Sequence, residues 1–195
     1  MRLCFIGDSF VNGTGDPDCL GWVGRICAAA RRRGHDLTAY NLGIRRDTSA
    51  DIAARWQEEA LRRLPAGMDC RLVFSFGAND CVVEAGGPRV APAQSLASAG
   101  AILDTARRWH PTLMLGPPPL AMDGTRARLG DLSYAFAGLA SELDIPYFVL
   151  FTPLSAAPLW HKESAAGDGA HPGAAGYVLI AELVEQWPAW RRWLP

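Results

Sequence analysis

Short apolar runs alternate with longer amphipathic stretches along this chain. The first run, Leu3 to Ile6, contains no polar residue and stops at Gly7, which is typical of a strand buried on both faces of a parallel sheet. Comparable runs place the predicted strands at residues 3–6, 36–42, 72–76, 112–115 and 147–151. Apolar residues at helical spacing place the predicted helices at residues 19–33, 48–64, 93–109, 125–143 and 172–187.

The order of these elements predicts the fold class. Strands that alternate with helices form a parallel sheet covered on both faces, with right-handed crossovers between strands. Thr48 and Asp51 have the spacing of a capping box at the start of a helix. Residues 11–18, the stretch marked by Gly86, Gly87, Pro88 and Pro92, and residues 152–170 are predicted loops, because Gly and Pro recur in all three. With 195 residues and no internal repeat, the chain is predicted to form one domain over 1–195.

The composition of the chain argues against several kinds of binding partner and cellular location. Lys and Arg number 19 and Asp and Glu number 20, which gives no electrostatic reason to expect nucleic acid or an anionic membrane surface. No stretch has the length and apolarity of a membrane span, and the first apolar run is too short for a signal peptide. Five cysteines without a CxxC pair argue against a disulfide framework and against a zinc site. We therefore expect a cytoplasmic protein with reduced thiols.

Two polar motifs carry candidate chemistry. Ser9 follows the first strand directly, so it projects from the carboxyl edge of the sheet, where open α/β sheets carry their sites. Asp168 lies three residues before His171, close enough to orient its imidazole as in a Ser-His-Asp triad. Taken singly, each motif has a simpler interpretation, since Ser9 could cap a helix and Asp168 and His171 could form a helix-entry turn.

Acyl transfer also requires hydrogen-bond donors for a developing oxyanion. Three candidates follow predicted strands at the same edge: the Ser9 N–H, the Gly43 N–H and the side-chain amide of Asn79. Gly43 and Asn79 could also simply form turns where strands end.

Together these motifs resemble the SGNH hydrolases, also called GDSL esterases/lipases. The resemblance rests on Gly7-Asp8-Ser9, on Gly43, on Gly77-Ala78-Asn79-Asp80 and on Asp168-x-x-His171-Pro172, in that order along most of the chain. It implies a flavodoxin-like three-layer α/β/α sandwich with five parallel strands in the order 2-1-3-4-5. It further implies Ser9 as nucleophile, His171 as general base and acid, Asp168 as its orienting carboxylate, and Ser9, Gly43 and Asn79 as the oxyanion hole.

Two features depart from the pattern of that family. Phe10 stands where a leucine usually follows the serine, which changes the packing behind the nucleophile. Arg45 and Arg46 follow Gly43 where small residues are common, so substrate preference is open. Either arginine could meet an anionic part of a substrate, or both could lie in solvent. Without a long insertion to form a lid, we expect a shallow groove that favours short acyl chains.

The sequence thus predicts a serine hydrolase that cleaves small carboxylic esters without a metal or a cofactor. An acyl-CoA thioesterase or a lysophospholipase of the same family is the alternative, and a noncatalytic anion-binding module is a third possibility.

Other residues are expected to be structural. Cys81 is interpreted as a buried small side chain, and His35 and His110 as surface residues beside helix ends. His161, with Trp160, is placed in the predicted loop that could border the substrate. The tail over residues 187–195, with three tryptophans, is expected to cover a sheet face, a dimer contact being the alternative.

Overall fold

The structure is a computed structural model that describes residues 1–122 and 124–194. Asp123 and Pro195 lie outside the described residues, so the last position of the predicted tail is not described.

The strands and helices follow one another along the chain as the apolar pattern indicates. The strands are β1 (Arg2–Gly7), β2 (Thr38–Gly43), β3 (Cys70–Ser75), β4 (Val83–Glu84), β5 (Gly87–Pro88), β6 (Thr112–Leu115) and β7 (Tyr147–Phe148). The helices are α1 (Ser9–Asn12), α2 (Gly21–Arg32), α3 (Ser49–Leu61), α4 (Pro92–Trp109), α5 (Arg126–Glu142), α6 (Phe151–Ser155), α7 (Pro158–Ala166), α8 (Ala174–Gln186) and α9 (Pro188–Trp193). A 3₁₀ turn covers Asn79–Cys81.

Within the described residues, five strands form one parallel sheet in the order β2-β1-β3-β6-β7. This confirms the predicted order 2-1-3-4-5, because β6 and β7 are the fourth and fifth predicted strands. Gly7 lies opposite Gly43 on one side and Ser75 on the other. The neighbouring strands β2, β1 and β3 therefore end at the same level, and the loops that follow them share one edge.

Helices cover both faces of the sheet. On one face, the ring of Phe5 lies 5.7 Å from that of Trp22 in α2 and 6.2 Å from that of Trp190 in α9. On the other, the ring of Phe74 lies 5.3 Å from that of Trp56 in α3. The described part of the tail thus packs over a sheet face, as predicted. No helix within the described residues has the length and apolarity to cross a membrane.

Three predicted boundaries are wrong at the carboxyl-terminal end. Residues 152–170 are not a loop, because α6 and α7 occupy much of that range. Pro158 supplies the fixed backbone angle of a first helical position, and the alanines around it have high helix propensity. The fifth strand ends at Phe148 because α6 begins at Phe151. Pro172 precedes α8 instead of opening it, since Gly173 is the residue before the first helical position.

Two other predicted loops contain regular structure. The loop over residues 11–18 is wrong at its start, because α1 extends to Asn12. The loop around Gly86 and Gly87 contains a short antiparallel hairpin of β4 and β5. This hairpin carries Glu84, which lies at the candidate site described below.

The end of β2 packs tightly against α1. A Cβ atom built on Gly43 would lie 2.2 Å from the Asn12 nitrogen and 2.7 Å from the Asp8 oxygen, both of them backbone atoms. Only a residue without a side chain allows this approach. Gly43 therefore has a structural reason to be glycine, because it sets the distance between β2 and the turn that carries Ser9.

Two carboxylates are buried beneath the same edge. Asp8 and Asp80 are each 1% exposed. Asp8 Oδ1 accepts the Phe10 N–H at 2.9 Å, and Asp80 Oδ1 accepts the Ser49 N–H at 2.8 Å. Within the described residues, neither Oδ2 atom has a hydrogen-bond partner. Burial raises the pKa of Asp8 to about 7; the Phe10 N–H opposes that shift, and the charges of Asp80 and Asp47 add to it.

We expect Gly43→Ala to lower the free energy of unfolding by about 1–3 kcal/mol, because the methyl group forces α1 away from β2. The matched control is Gly138→Ala in α5, where an added Cβ meets no atom within 4 Å. That substitution should raise the unfolding free energy by about 0.5–1 kcal/mol. Urea unfolding of both variants checks this, and equal effects would contradict the proposed close packing.

Asp8 should make the protein less stable as the pH rises. The carboxyl has a pKa near 3.9 in the unfolded chain and about 7 in the folded one. Between these values the folded state binds more protons, so the unfolding free energy falls with rising pH across this window. In Asp8→Asn, the unfolding free energy should fall less steeply with rising pH than in the native chain. Asp36→Asn, at an exposed position, should show the same fall as the native chain. Urea titrations from pH 4 to 8 measure both; parallel curves for Asp8→Asn and the native chain would contradict the assignment.

Candidate active site

Ser9 is the first residue of α1, and Asp8 alone separates it from the end of β1 at Gly7. The residue that caps this helix is Asp8, whose side chain accepts the Phe10 N–H. The alternative interpretation of Ser9 as a helix cap is therefore wrong. Its hydroxyl is left for another partner, although the residue is 2% exposed.

That partner is the imidazole of His171. The Ser9 Oγ and His171 Nε2 atoms lie 2.7 Å apart, and His171 Nδ1 lies 2.7 Å from Asp168 Oδ2. An ionised carboxylate only accepts hydrogen bonds, so Nδ1 carries the proton of a neutral imidazole. Nε2 is then the acceptor for the Ser9 hydroxyl, which is the tautomer that a general base requires.

Asp168 is held by hydrogen bonds that favour its charged form. Its Oδ1 atom accepts the N–H groups of Ala170 at 3.0 Å and His171 at 2.9 Å. Partial burial alone would raise the pKa of Asp168, but these two bonds and the one from the imidazole outweigh it and lower the pKa to about 2. The carboxylate is therefore ionised throughout the neutral range.

A contact between distant segments brings the histidine to the serine. Tyr177 in α8 is fully buried, and its hydroxyl donates to the Thr14 carbonyl at 2.7 Å. This bond ties the helix that follows His171 to the loop that follows α1. The ring of Phe10 lies 5.0 Å from the imidazole, so the residue that replaces the usual leucine supports His171 from one side.

The candidate oxyanion donors are placed differently from one another. Asn79 lies in the 3₁₀ turn after β3, and its Nδ2 donates one hydrogen to the Asp47 carbonyl at 3.0 Å, which leaves a second hydrogen. The Gly43 N–H donates to Asn41 Oδ1 at 3.0 Å. Asn79 lines the same cavity as Ser9, whereas Gly43 is not part of the wall of that cavity.

Arg46, which the sequence indicated only as a possible contact for a substrate anion, lines the same cavity as Ser9. It has a φ angle of 74°, the left-handed region that side chains other than glycine seldom adopt. Its carbonyl accepts from Arg89 Nη1 at 2.8 Å. Within the described residues, the Arg46 N–H has no acceptor.

A half-buried arginine fixes the loop that carries Arg46. The Nε atom of Arg55 in α3 lies 2.6 Å from Asp47 Oδ2, and its Nη2 donates to the Gly7 carbonyl at 2.9 Å. Arg55 thus joins the end of β1, just before the serine, to the loop after β2. The sequence holds no local signal for this role, because Arg55 stands at an ordinary helical position.

The described residues enclose a cavity of about 200 Å³ next to Ser9. Four of the five predicted site residues line it: Ser9, Asn79, Asp168 and His171. The rest of its wall is divided between apolar side chains, among them Val82, Leu120 and Met122, and charged ones, namely Arg45, Arg46, Glu84 and Arg89. No group of three or more His, Cys, Asp or Glu side chains among the described residues is placed to bind a metal.

Cys81, His35 and His110 lie outside the wall of the cavity next to Ser9. Burial raises the pKa of Cys81 to about 12, which keeps this thiol protonated. His35 and His110 are only partly buried and lie near the ends of α2 and α4, in agreement with their predicted positions beside helix ends.

The prediction for His161 and Trp160 is wrong, because both lie in α7 and not in a loop. His161 Nε2 is 2.9 Å from the Ser155 carbonyl, and neither residue lines the cavity next to Ser9. Trp160 is 1% exposed and donates to the Pro119 carbonyl at 3.0 Å.

Solved structures share this fold. A lipase/acylhydrolase from Enterococcus faecalis has a TM-score of 0.75 and 22% identity, covering 97% of this chain and 96% of its own. TesA has a TM-score of 0.79 and 25% identity, with coverage of 98% and 99%. Axe2, an acetylxylan esterase from Geobacillus stearothermophilus, has a TM-score of 0.76 and 18% identity, with coverage of 93% and 90%. The curated proteins include no significant match.

The family assignment comes from a family model that matches residues 5–179 and is described as the GDSL-like Lipase/Acylhydrolase family. The matched range contains all of the motifs quoted above, from Gly7 to Pro172, and confirms the resemblance that they indicated. This chain therefore belongs to the GDSL-like lipase/acylhydrolase family of enzymes.

Proposed function

We propose that this enzyme hydrolyses small carboxylic esters through a covalent acyl-enzyme on Ser9. The observation that carries the proposal is the chain of two 2.7 Å contacts from Ser9 Oγ through the imidazole of His171 to Asp168. A serine hydroxyl is a weak nucleophile, and an adjacent oriented base is the usual means of activating it.

In the first half of the reaction, Ser9 Oγ attacks the ester carbonyl carbon while its proton moves to His171 Nε2. The imidazolium that forms is stabilised by Asp168, which stays ionised. Collapse of the tetrahedral intermediate breaks the bond to the leaving oxygen, and His171 returns the proton to that oxygen, so that an alcohol leaves.

In the second half, water takes the place of the alcohol. His171 Nε2 accepts a proton from the water as its oxygen attacks the acyl carbon, and then protonates Ser9 Oγ as the carboxylic acid departs. The cycle consumes one water and returns the neutral imidazole. None of its steps draws on a metal or a cofactor.

We place the oxyanion on the Ser9 N–H, the second hydrogen of the Asn79 amide and the N–H of Arg46. Arg46 replaces Gly43 in this role for two reasons. The Gly43 N–H already donates to Asn41, and Gly43 lies outside the cavity wall. The Arg46 N–H, by contrast, has no acceptor among the described residues. Each such donor is typically worth about 3 kcal/mol of the barrier.

Short acyl groups suit this site. Its volume of about 200 Å³ is below the roughly 300–1,000 Å³ of pockets that enclose drug-sized ligands. Val82, Leu120 and Met122 offer a limited apolar wall for the acyl group. One of the structural relatives is named as an acetylxylan esterase, which is consistent with acetyl or similarly short esters.

Ser9→Ala should lower the rate of 4-nitrophenyl acetate hydrolysis by about 10⁴-fold or more, because it removes the nucleophile. Ser98→Ala, at a buried serine of α4 outside the cavity, is the matched control and should keep native activity. Circular dichroism establishes that both variants fold. A folded Ser9→Ala variant with native turnover would overturn the proposal.

The choice of Arg46 over Gly43 has its own test. When a fluorophosphonate has reacted with the enzyme, its phosphoryl oxygen occupies the position of the oxyanion. The amide proton of Arg46 should then move strongly downfield in the NMR spectrum, while that of Gly43 should stay near its free position because its acceptor is unchanged. A downfield shift at Gly43 instead of Arg46 would restore the original assignment.

A further inference from the structure

Three guanidinium groups gather at the cavity that holds Ser9. Arg45 and Arg46 come from the loop after β2, and Arg89 comes from the segment after β5. The chain as a whole has a formal net charge of −1, so this concentration of positive charge is local.

The carboxylates in the wall of the cavity do not balance these three charges. Glu84 is shared, with Oε1 2.6 Å from Arg46 Nη2 and Oε2 3.7 Å from Arg89 Nε. Arg45 Nη2 lies 3.2 Å from Asp168 Oδ2, the oxygen that also accepts from His171. In that wall, two carboxylates therefore face three guanidinium groups. One of the two carboxylates already accepts a hydrogen bond from the imidazole.

Two of these arginines can exchange partners at little cost. The side chains of Arg45 and Arg46 are 60% and 66% exposed, and ion pairs at such positions contribute little to stability. A guanidinium has five N–H donors, and each of these two has a single contact to a carboxylate in the described part of the chain. The remaining donors are available to an anion that enters the cavity.

Glu84 indicates what kind of group fits there. Its carboxylate sits between Arg46 and Arg89 on a two-stranded hairpin and is itself about half exposed. Guanidinium groups bind carboxylate and phosphate oxygens with the same planar geometry. Glu84 thus occupies part of a position that a substrate anion could share or take over.

We propose that the preferred esters of this enzyme carry an anionic group, a carboxylate or a phosphate, that binds to Arg45 and Arg46, with Arg89 holding the Arg46 backbone in place. Glu84 competes with that group for Arg46. This inference rests on the proposed esterase function and adds the substrate class to it.

The test compares aryl acetates whose leaving groups differ chiefly in charge. 3-Acetoxybenzoate and 3-acetoxyphenyl phosphate carry an anion on the leaving group, and methyl 3-acetoxybenzoate is their neutral counterpart. We expect kcat/KM to be about tenfold higher for at least one of the anionic esters, because charged hydrogen bonds form only with it. The preference should shrink as salt is raised from about 0.01 M to 1 M, since the site is open to solvent. The anionic ester with the larger kcat/KM shows whether the site prefers a carboxylate or a phosphate.

Two variants with opposite expected effects on the preference for anionic esters extend the test. Arg45→Gln should lower the ratio of anionic to neutral kcat/KM by roughly fivefold, and Glu84→Gln should raise it. Arg62→Gln, an exposed arginine of the segment after α3 that pairs with Glu58, should leave the ratio unchanged.

Hydrolysis of the neutral ester without any preference for either anion would overturn the inference and leave the proposed function intact. A ratio that falls in Glu84→Gln would also overturn it. Failure of the native enzyme to hydrolyse any of the three esters or 4-nitrophenyl acetate would overturn the proposed function, and the inference with it.

Discussion

The parallel register of the neighbouring strands β2, β1 and β3 is the constraint on which the site depends. Gly7 pairs with Gly43 on one side and with Ser75 on the other, so β1, β2 and β3 end at one level. Every candidate group on the nucleophile and oxyanion side is carried by the loop that follows one of these strands. A shift of register by one residue would turn the neighbouring side chains to the opposite face and separate these loops.

Glycine makes the edge compact, and hydrogen bonds make it rigid. The close approach of Gly43 to Asn12 and Asp8 sets the position of α1, and hence of Ser9, relative to β2. Arg55 connects the Gly7 carbonyl to the Asp47 side chain. The two consecutive carbonyls of Arg46 and Asp47 accept hydrogen bonds from Arg89 and Asn79, respectively. Preorganised donors of this kind act without reorganisation when charge develops on a substrate. The unusual φ of Arg46 is kept in place by these bonds.

Much of the fold could be predicted from the sequence, because buried parallel strands leave a simple signal. The run from Leu3 to Ile6 is apolar without interruption, and polar residues directly after the predicted strands indicated which side chains lie at the edge of the sheet. The order of the strands came from the resemblance to the family that these motifs carry. The two short helices over residues 151–166 could not be separated from a loop, since Pro158 is as typical of a helix start as of a turn. The hairpin that carries Glu84 has two residues per strand, too few for an alternating pattern.

The proposed oxyanion donors show a different limit of the sequence. A glycine after a strand suggests an open N–H, but the sequence does not reveal that the side chain of Asn41 folds back onto Gly43. Nor does it reveal that Arg46 adopts a left-handed conformation, which depends on contacts with Arg89 and with the loop as a whole. The roles of Arg55 and Tyr177 could not be predicted from the sequence either, because each side chain donates to a backbone carbonyl far away in the chain.

The central claim is that Ser9 is an activated nucleophile, and covalent labelling tests it most directly. The native protein is treated with a fluorophosphonate probe, digested and mapped by mass spectrometry. The account predicts one phosphonyl adduct, on the peptide that contains Ser9, and protection of that serine when a short ester is present in excess. An unlabelled Ser9 in the folded protein, or a label on another serine, would contradict it.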